Sequence, residues 1–256
     1  MIHLERLDHV AVIRIDRPER MNCFDYPTLV ELQQLVTKVR HDPMIRVVLF
    51  TGTGKAFSAG ADLKERTTLD EAQVRRNVAA IRDVFTDIAN LPQPTIAAVN
   101  GHALGGGFEW MLACDFRIIV KGALIGLTET SFGIIPGAGG TQRLPRLIGE
   151  TRAKELIFTA KKIDAETAER YGIVSRVVST VEELMEVCLA FAEEMLRNGP
   201  IAIRQAKQAI DQGLNHSLSE GLEIETAAYE TVIPTEDRME ALRAFAEKRT
   251  PQFQGK

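Results

Sequence analysis

Two glutamates twenty positions apart, Glu109 and Glu129, are the residues whose type and setting most suggest proton transfer. Glu109 lies in Phe108-Glu109-Trp110-Met111-Leu112-Ala113, a run apolar enough that a buried carboxylate would need a compensating role. Glu129 lies in Gly126-Leu127-Thr128-Glu129-Thr130, after an apolar strand and before the loop Ser131 to Gly140. Taken singly, each has an ordinary explanation. Glu109 would be a helix residue turned partly to solvent, and Glu129 a loop carboxylate satisfied by nearby peptide N–H groups.

Glycine-rich loops supply the other candidate chemistry. Gly52-Thr53-Gly54-Lys55-Ala56 invites a phosphate-loop reading that fails, because Leu49 occupies the place of the leading glycine and Ala56 that of the Ser or Thr. In Phe57-Ser58-Ala59-Gly60-Ala61-Asp62-Leu63-Lys64-Glu65, small residues precede a helix start with Asp62 and Glu65 in capping-box spacing. That segment is either a tight capped loop or a place where bare backbone N–H groups face a ligand, as an oxyanion hole requires. Asn100-Gly101-His102-Ala103-Leu104-Gly105-Gly106-Gly107-Phe108-Glu109 runs from a strand into a helix and leaves amides free at the turn. It is not a dinucleotide fingerprint, since Trp110 stands three residues after Gly107, so nicotinamide and flavin chemistry lack support. The histidines at 3, 9, 41, 102 and 216 accompany no nucleophile signature, which leaves His102 as a structural or pocket-wall residue. Asp115 and Arg117 look like strand-edge residues.

These loops need a scaffold, and the periodicities supply an α/β one. Val10 to Ile15, Arg46 to Thr51, Thr95 to Val99 and Phe116 to Val120 read as strands. Helical patterns lie between them at about Pro27 to Arg40 and Glu71 to Asn90, with a short helix opening near Gly105. From Val181 the pattern is helical throughout, with segments expected at 181–196, 200–213, 217–230 and 236–247. The domains expected are an α/β catalytic core over 1–195 and a helical subdomain over 196–256.

The bulk composition narrows the partners. A chain of 256 residues with 45% apolar residues can bury a substantial core. A formal charge of -4 offers no general attraction for nucleic acid or anionic lipid, so neither is an expected partner. Cys23, Cys114 and Cys188 are widely spaced and form no metal or disulfide pattern. Met1 to Asp8 carries acidic residues and no apolar core of signal length, and no membrane-spanning run follows, so a cytoplasmic location and no bound metal are expected.

Three ordered motifs resemble the enoyl-CoA hydratase/isomerase (crotonase) family: Ala56-Phe57-Ser58-Ala59-Gly60-Ala61-Asp62-Leu63; Pro94 to Gly101 with Ala103-Leu104-Gly105-Gly106-Gly107; and Ile135-Pro136-Gly137-Ala138-Gly139-Gly140-Thr141-Gln142-Arg143-Leu144. Arg17-Pro18 near the start and Glu236-Asp237-Arg238 near the end extend the likeness over essentially the whole chain. The resemblance implies a crotonase-like spiral of strand-strand-helix turns in two sheets, then helices that assemble trimers or dimers of trimers. It implies an acyl-CoA thioester as substrate, with no cofactor beyond it, and substrate-binding positions at Ala59, Gly60, Ala61, Asp62 and Gly106. The thioester carbonyl would meet N–H groups of Ala59 and Gly106. In the hydratase branch Glu109 would hold and deprotonate water, and Glu129, as the acid, would protonate C2.

Ala61 to Arg66, Asp87 to Pro92 and Lys154 to Phe158 look most like the methylglutaconyl-CoA hydratase branch. An enoyl-CoA isomerase and a non-enzymatic RNA-binding homologue are the alternatives. Isomerases generally lack the glutamate pair, and the stretch Tyr26 to Arg40 holds only Lys38 and Arg40 as cations. Cys23 and Trp110 depart from the usual pattern, and Trp110 is expected to pack in the core.

Overall fold

Strand Ile2–Leu7 (β1) pairs antiparallel with Val10–Ile15 (β2), Ile2 opposite Ile15, in the computed structural model, which describes residues 1–256. The β1 residues His3, Glu5, Arg6 and Leu7 are exposed, so this edge strand has little of the apolar signal that marks its partner. Val47–Gly52 (β3), Ala56–Ser58 (β4), Thr95–Val99 (β5), His102–Leu104 (β6), Phe116–Val120 (β7), Leu124–Gly126 (β8), Ile163–Asp164 (β9) and Arg176–Val178 (β10) complete the strands.

The strands form two sheets. One has the order β1-β2-β3-β5-β7-β10, parallel from β2 onward, and the other has the order β4-β6-β8-β9. Successive strands alternate between them: β3 to β4, β5 to β6, β7 to β8, each pair followed by helix. This is the spiral of strand-strand-helix turns. β3 and β5 are wholly buried, which is why they read as unbroken apolar runs and not as alternating ones.

Helices Tyr26–His41 (α1), Leu63–Arg66 (α2), Glu71–Ala89 (α3), Gly106–Leu112 (α4), Gly140–Ile148 (α5), Glu150–Phe158 (α6) and Ala165–Arg170 (α7) accompany the sheets. Asp25 caps α1 by accepting from Thr28 N–H, and α3 opens with a full capping box between Asp70 and Gln73. At α2 the expected box is only half made. Asp62 accepts from the amides of Lys64 and Glu65, but the Glu65 carboxylate accepts instead from Tyr26 N–H and from Asn77 Nδ2, both at 3.1 Å. Glu65 thereby ties α2 to α1 and α3.

Trp110 of α4 is fully buried, stacked on Phe57 at 4.3 Å between centroids, with Phe24 and Phe50 edge-on at 5.7 Å. It packs in the core, as an indole commonly does, and its N–H finds no acceptor. The close approach of α4 to β4 requires Gly107, where a β-carbon would lie 2.0 Å from the Ser58 carbonyl oxygen.

The chain divides into two compact units, Met1–Leu91 with Thr95–Leu189, and Pro92–Pro94 with Ala190–Lys256. The division falls inside helix Val181–Leu196 (α8). The second unit contains Pro200–Gly213 (α9), Leu218–Val232 (α10) and Glu236–Glu247 (α11). In it Asp237 accepts from the amides of Gln254 and Gly255, fastening the chain end, while Leu214, Leu218 and Phe245 are each more than 80% exposed. No helix is long and apolar enough to cross a membrane.

Candidate active site

Extended backbone after β4 is zipped onto the segment before α1. Ala59 N–H donates to the Met21 carbonyl at 2.9 Å, Phe24 N–H to the Gly60 carbonyl at 2.8 Å, and Asp62 N–H to the Phe24 carbonyl at 2.9 Å. Gly60 N–H is taken by Ser58 Oγ at 3.1 Å. Successive amides of extended backbone point to opposite sides, so Ala61 N–H, next to Asp62 N–H, faces away from this seam and meets no acceptor in the chain. Ala59 therefore cannot serve as the expected oxyanion donor. Its amide is committed to Met21, and the free donor of this loop is Ala61.

Gly106 supplies a second free N–H, because the first amide of a helix has no intrahelical acceptor. The two are neighbours. A β-carbon on Gly106 would lie 3.8 Å from Ala61 N, and one on Gly60 only 2.7 Å from Gly106 N. Gly60, at φ +86°, lets the loops come this close. Beneath the loop, Arg17 Nη2 lies 2.6 Å from an Asp25 oxygen and 3.8 Å from one of Asp62, and Asn22 Nδ2 donates to the Thr53 and Ala56 carbonyls.

Ala61, Gly106 and Ala59 border a cavity of about 600 Å³. Val74, Val78 and Ile81 of α3 form one apolar wall, and Phe132, Ile134 and Ile135 another. Gly60 and Asp62, expected at the substrate, contribute no surface to it. Asp62 turns instead to the α2 amides and Arg17, and so shapes the loop from behind.

Both glutamates line this cavity. Glu109 is 3% exposed, and its Oε1 accepts from the amides of Ala138 and Gly140, each at 2.8 Å. Burial pushes its pKa up, opposed by these two N–H groups and by the charges of Arg143 and Arg66. Oε2 has no partner in the chain and is left for the cavity. Glu129 opens a short 3-10 turn, Glu129–Phe132, after β8. Its Oε2 is buried with no partner, and burial, followed by the negative charge of Glu109, raises its pKa to about 7. The two carboxyl groups are thus unlike. Two peptide donors from a distant loop favour the anion at Glu109, whereas Glu129 has only its own backbone N–H and the charge of Arg66 to set against burial and the charge of Glu109.

Sequence reasoning missed the α3 wall and the grip on Glu109. The wall was signalled by Val74, Val78 and Ile81 at helical spacing. The grip had no local signal: Arg143 Nη1 donates to the Ala138 carbonyl at 2.9 Å and so fixes a loop about thirty residues beyond the carboxylate that it holds. His102 accepts from Leu124 N–H at 3.0 Å through Nδ1, which joins β6 to β8 and leaves it a structural residue. Asp115 accepts from Thr95 N–H at 2.7 Å, and Arg117 donates to the Ile173 and Cys114 carbonyls. No group of His, Cys, Asp and Glu could hold a metal ion.

Interleaved strand-strand-helix turns set two free peptide donors, which could polarise a carbonyl, beside a pair of unlike carboxyl groups, which could move protons, in an α/β fold. The chain belongs to the enoyl-CoA hydratase/isomerase family, whose model matches residues 5–256. It is similar to the crystal structure of enoyl-CoA hydratase from Bacillus anthracis, with 51% identity and a TM-score of 0.97 over 100% of this chain and 99% of that one. Among curated relatives, human mitochondrial methylglutaconyl-CoA hydratase is 45% identical over 258 residues, covering 99% of this chain and 76% of the relative. Human mitochondrial enoyl-CoA hydratase domain-containing protein 2 is 45% identical over 251 residues, covering 96% and 86%. The fold is the crotonase fold, and members of the family act on acyl-CoA substrates.

Proposed function

We propose that the protein is an enoyl-CoA hydratase that adds water reversibly to a 2-enoyl-CoA to give a 3-hydroxyacyl-CoA. The observation that carries this reading is the pairing of unlike glutamates on one cavity with two unclaimed N–H groups. An isomerase moving a double bond needs one carboxylate base and no water, and a second carboxyl group in the cavity would then be a cost without a use.

The thioester carbonyl oxygen accepts from Ala61 and Gly106 N–H. As water attacks C3, negative charge grows on that oxygen, and donors already in place stabilise it without reorganisation. Glu109, oriented through Oε1 by Ala138 and Gly140, uses Oε2 to hold and deprotonate the water. Glu129, with a pKa raised to about 7, carries the proton delivered to C2. Dehydration exchanges the two roles. The chemistry needs no cofactor beyond the coenzyme A of the substrate. The exposed apolar residues of α9 to α11 fit burial against further copies of the chain, as a trimer or a pair of trimers. The charge of -4 disfavours the RNA-binding alternative.

The test is the loss of enoyl absorbance of crotonyl-CoA with the unmodified protein, Glu109→Gln and Glu129→Gln. Hydration by the unmodified protein and a fall of about 10²- to 10⁴-fold in each variant support the reading. Turnover that survives both substitutions overturns the mechanism. A protein inactive on crotonyl-CoA that converts a 3-enoyl-CoA is an isomerase.

A further inference from the structure

The turn that holds Glu109 is itself held by one side chain. Ala138 and Gly140, whose amides donate to Glu109 Oε1, flank Gly139, which stands at φ +107°. Arg143, in the first turn of α5, grips this turn twice. Its backbone N–H donates to the Gly139 carbonyl at 2.7 Å, and its Nη1 donates to the Ala138 carbonyl at 2.9 Å. The guanidinium lies against Gly139, where a β-carbon would stand 2.0 Å from Nη1. A segment with glycine at 137, 139 and 140 has little stiffness of its own, so the aim of both donors depends on this clamp.

Arg143 is half-buried, forms no ion pair and contributes no surface to the cavity, so it acts on the reaction only through other groups. Its bond to the Ala138 carbonyl sets it one residue from the carboxylate that the Ala138 amide holds. Burial lowers the pKa of the guanidinium, and the charge of Glu109 is the largest influence opposing that. The other ionisable groups around the pair are Glu129 on the turn after β8, Arg66 at the end of α2, and Cys114 just beyond α4. The charge of Arg66 bears on both glutamates, whereas that of Arg143 bears on Glu109.

We propose that Arg143 is a positioning residue for the hydration: its guanidinium clamps the turn so that two peptide donors stay on Glu109, and it supplies the counter-charge that keeps the water-binding carboxyl group an anion. This rests on the hydratase reading and adds what keeps the two glutamates unlike. Hydration needs the pair to carry one proton, on Glu129. The rate is lost at low pH as Glu109 takes up a second proton, and at high pH as Glu129 gives up its own. Without Arg143, Glu109 holds a proton to higher pH, so the acid limb of the profile moves up while the alkaline limb stays. A clamp that served the fold alone would lower the rate equally at every pH.

The test is the pH profile of kcat/KM for crotonyl-CoA, with kcat and KM also resolved at neutral pH, for the full chain, Arg143→Met, Arg143→Lys and Gly139→Ala. In Arg143→Met, kcat should fall by about 10- to 100-fold and KM change by less than about threefold, with the acid limb displaced to higher pH. Arg143→Lys keeps a charge and a donor and should return the acid limb most of the way. Gly139→Ala evicts the guanidinium without altering it and should reproduce the displacement; if Arg143→Met does not fold, this variant decides by the same readout. An acid limb that stays in place overturns the proposal, as does a displacement that lysine fails to reverse. The carboxyl NMR signal of Glu109 in isotope-labelled protein, identified by its absence from Glu109→Gln, should likewise titrate at higher pH in Arg143→Met. If the unmodified protein does not hydrate crotonyl-CoA, the hydratase reading fails, while this titration still decides the role of Arg143.

Discussion

Replacing Glu129 with glutamine separates what this carboxyl group does for the reaction from what its burial costs the fold. Its pKa stands at about 7 against an ordinary 4.5, from desolvation first and the charge of Glu109 second. The folded protein therefore binds this proton more tightly than the unfolded chain does. The stabilisation is complete below about 4.5, is lost as pH rises through about 7, and is gone by about pH 8. At about 1.4 kcal/mol per pH unit, the gap between 4.5 and about 7 is worth about 3 kcal/mol as a ceiling. Partial solvent access to the side chain screens the charge, and about 2 kcal/mol is the realistic loss. Glutamine keeps the shape and is neutral throughout, so Glu129→Gln escapes the loss entirely.

Thermal melts at matched protein concentration, at pH 5 and pH 8.5, measure it. The melting temperature of the variant should gain on the unmodified protein by about 4–8 °C between the two conditions, since about 1 kcal/mol corresponds to about 2–4 °C for a chain of this size. The same variant should have lost about 10²- to 10⁴-fold in hydration. A gap between the two proteins that does not widen with pH would refute the raised pKa, and with it the assignment of Glu129 as the proton carrier.

Two further substitutions probe the scaffold. Gly60→Ala would put a β-carbon 2.7 Å from Gly106 N and 2.9 Å from the Leu104 carbonyl oxygen at φ +86°, so the donor pair must separate. Steady-state hydration should fall by about 10²- to 10³-fold, with more than about 1 kcal/mol lost in urea denaturation. Trp110→Ala should cost about 3–5 kcal/mol in the same denaturation, because it empties the centre of the cluster formed with Phe24, Phe50 and Phe57. Trp110→Phe should cost much less, since it keeps a ring and removes an indole N–H that has no acceptor.

The sequence by itself determined whatever depends on local pattern. β2, β5 and β7 begin and end where β-branched runs do, and α8, α9 and α11 span the periodic segments between their breakers. The exposed edge strand β1 and the short strands β6, β8 and β9 carry too few residues for a period to show, and pairing with distant partners makes them strands. The family motifs likewise marked the loops and both glutamates without fixing their geometry.

Which amide of Ala59-Gly60-Ala61 is free was beyond the sequence, because it depends on Met21 and Phe24 claiming the neighbouring positions from another part of the chain. The spacing before α2 already marked Asp62 as a cap, whereas the substrate-binding position that the family resemblance gave it is not one the structure opens to the cavity, because Arg17 also lies against its carboxylate from behind. The electrostatic difference between Glu109 and Glu129 also belongs to tertiary structure alone. Two peptide N–H groups from a loop about thirty residues away reach one carboxylate and leave Oε2 of the other without a partner, and a carboxyl group's affinity for its proton follows from such partners.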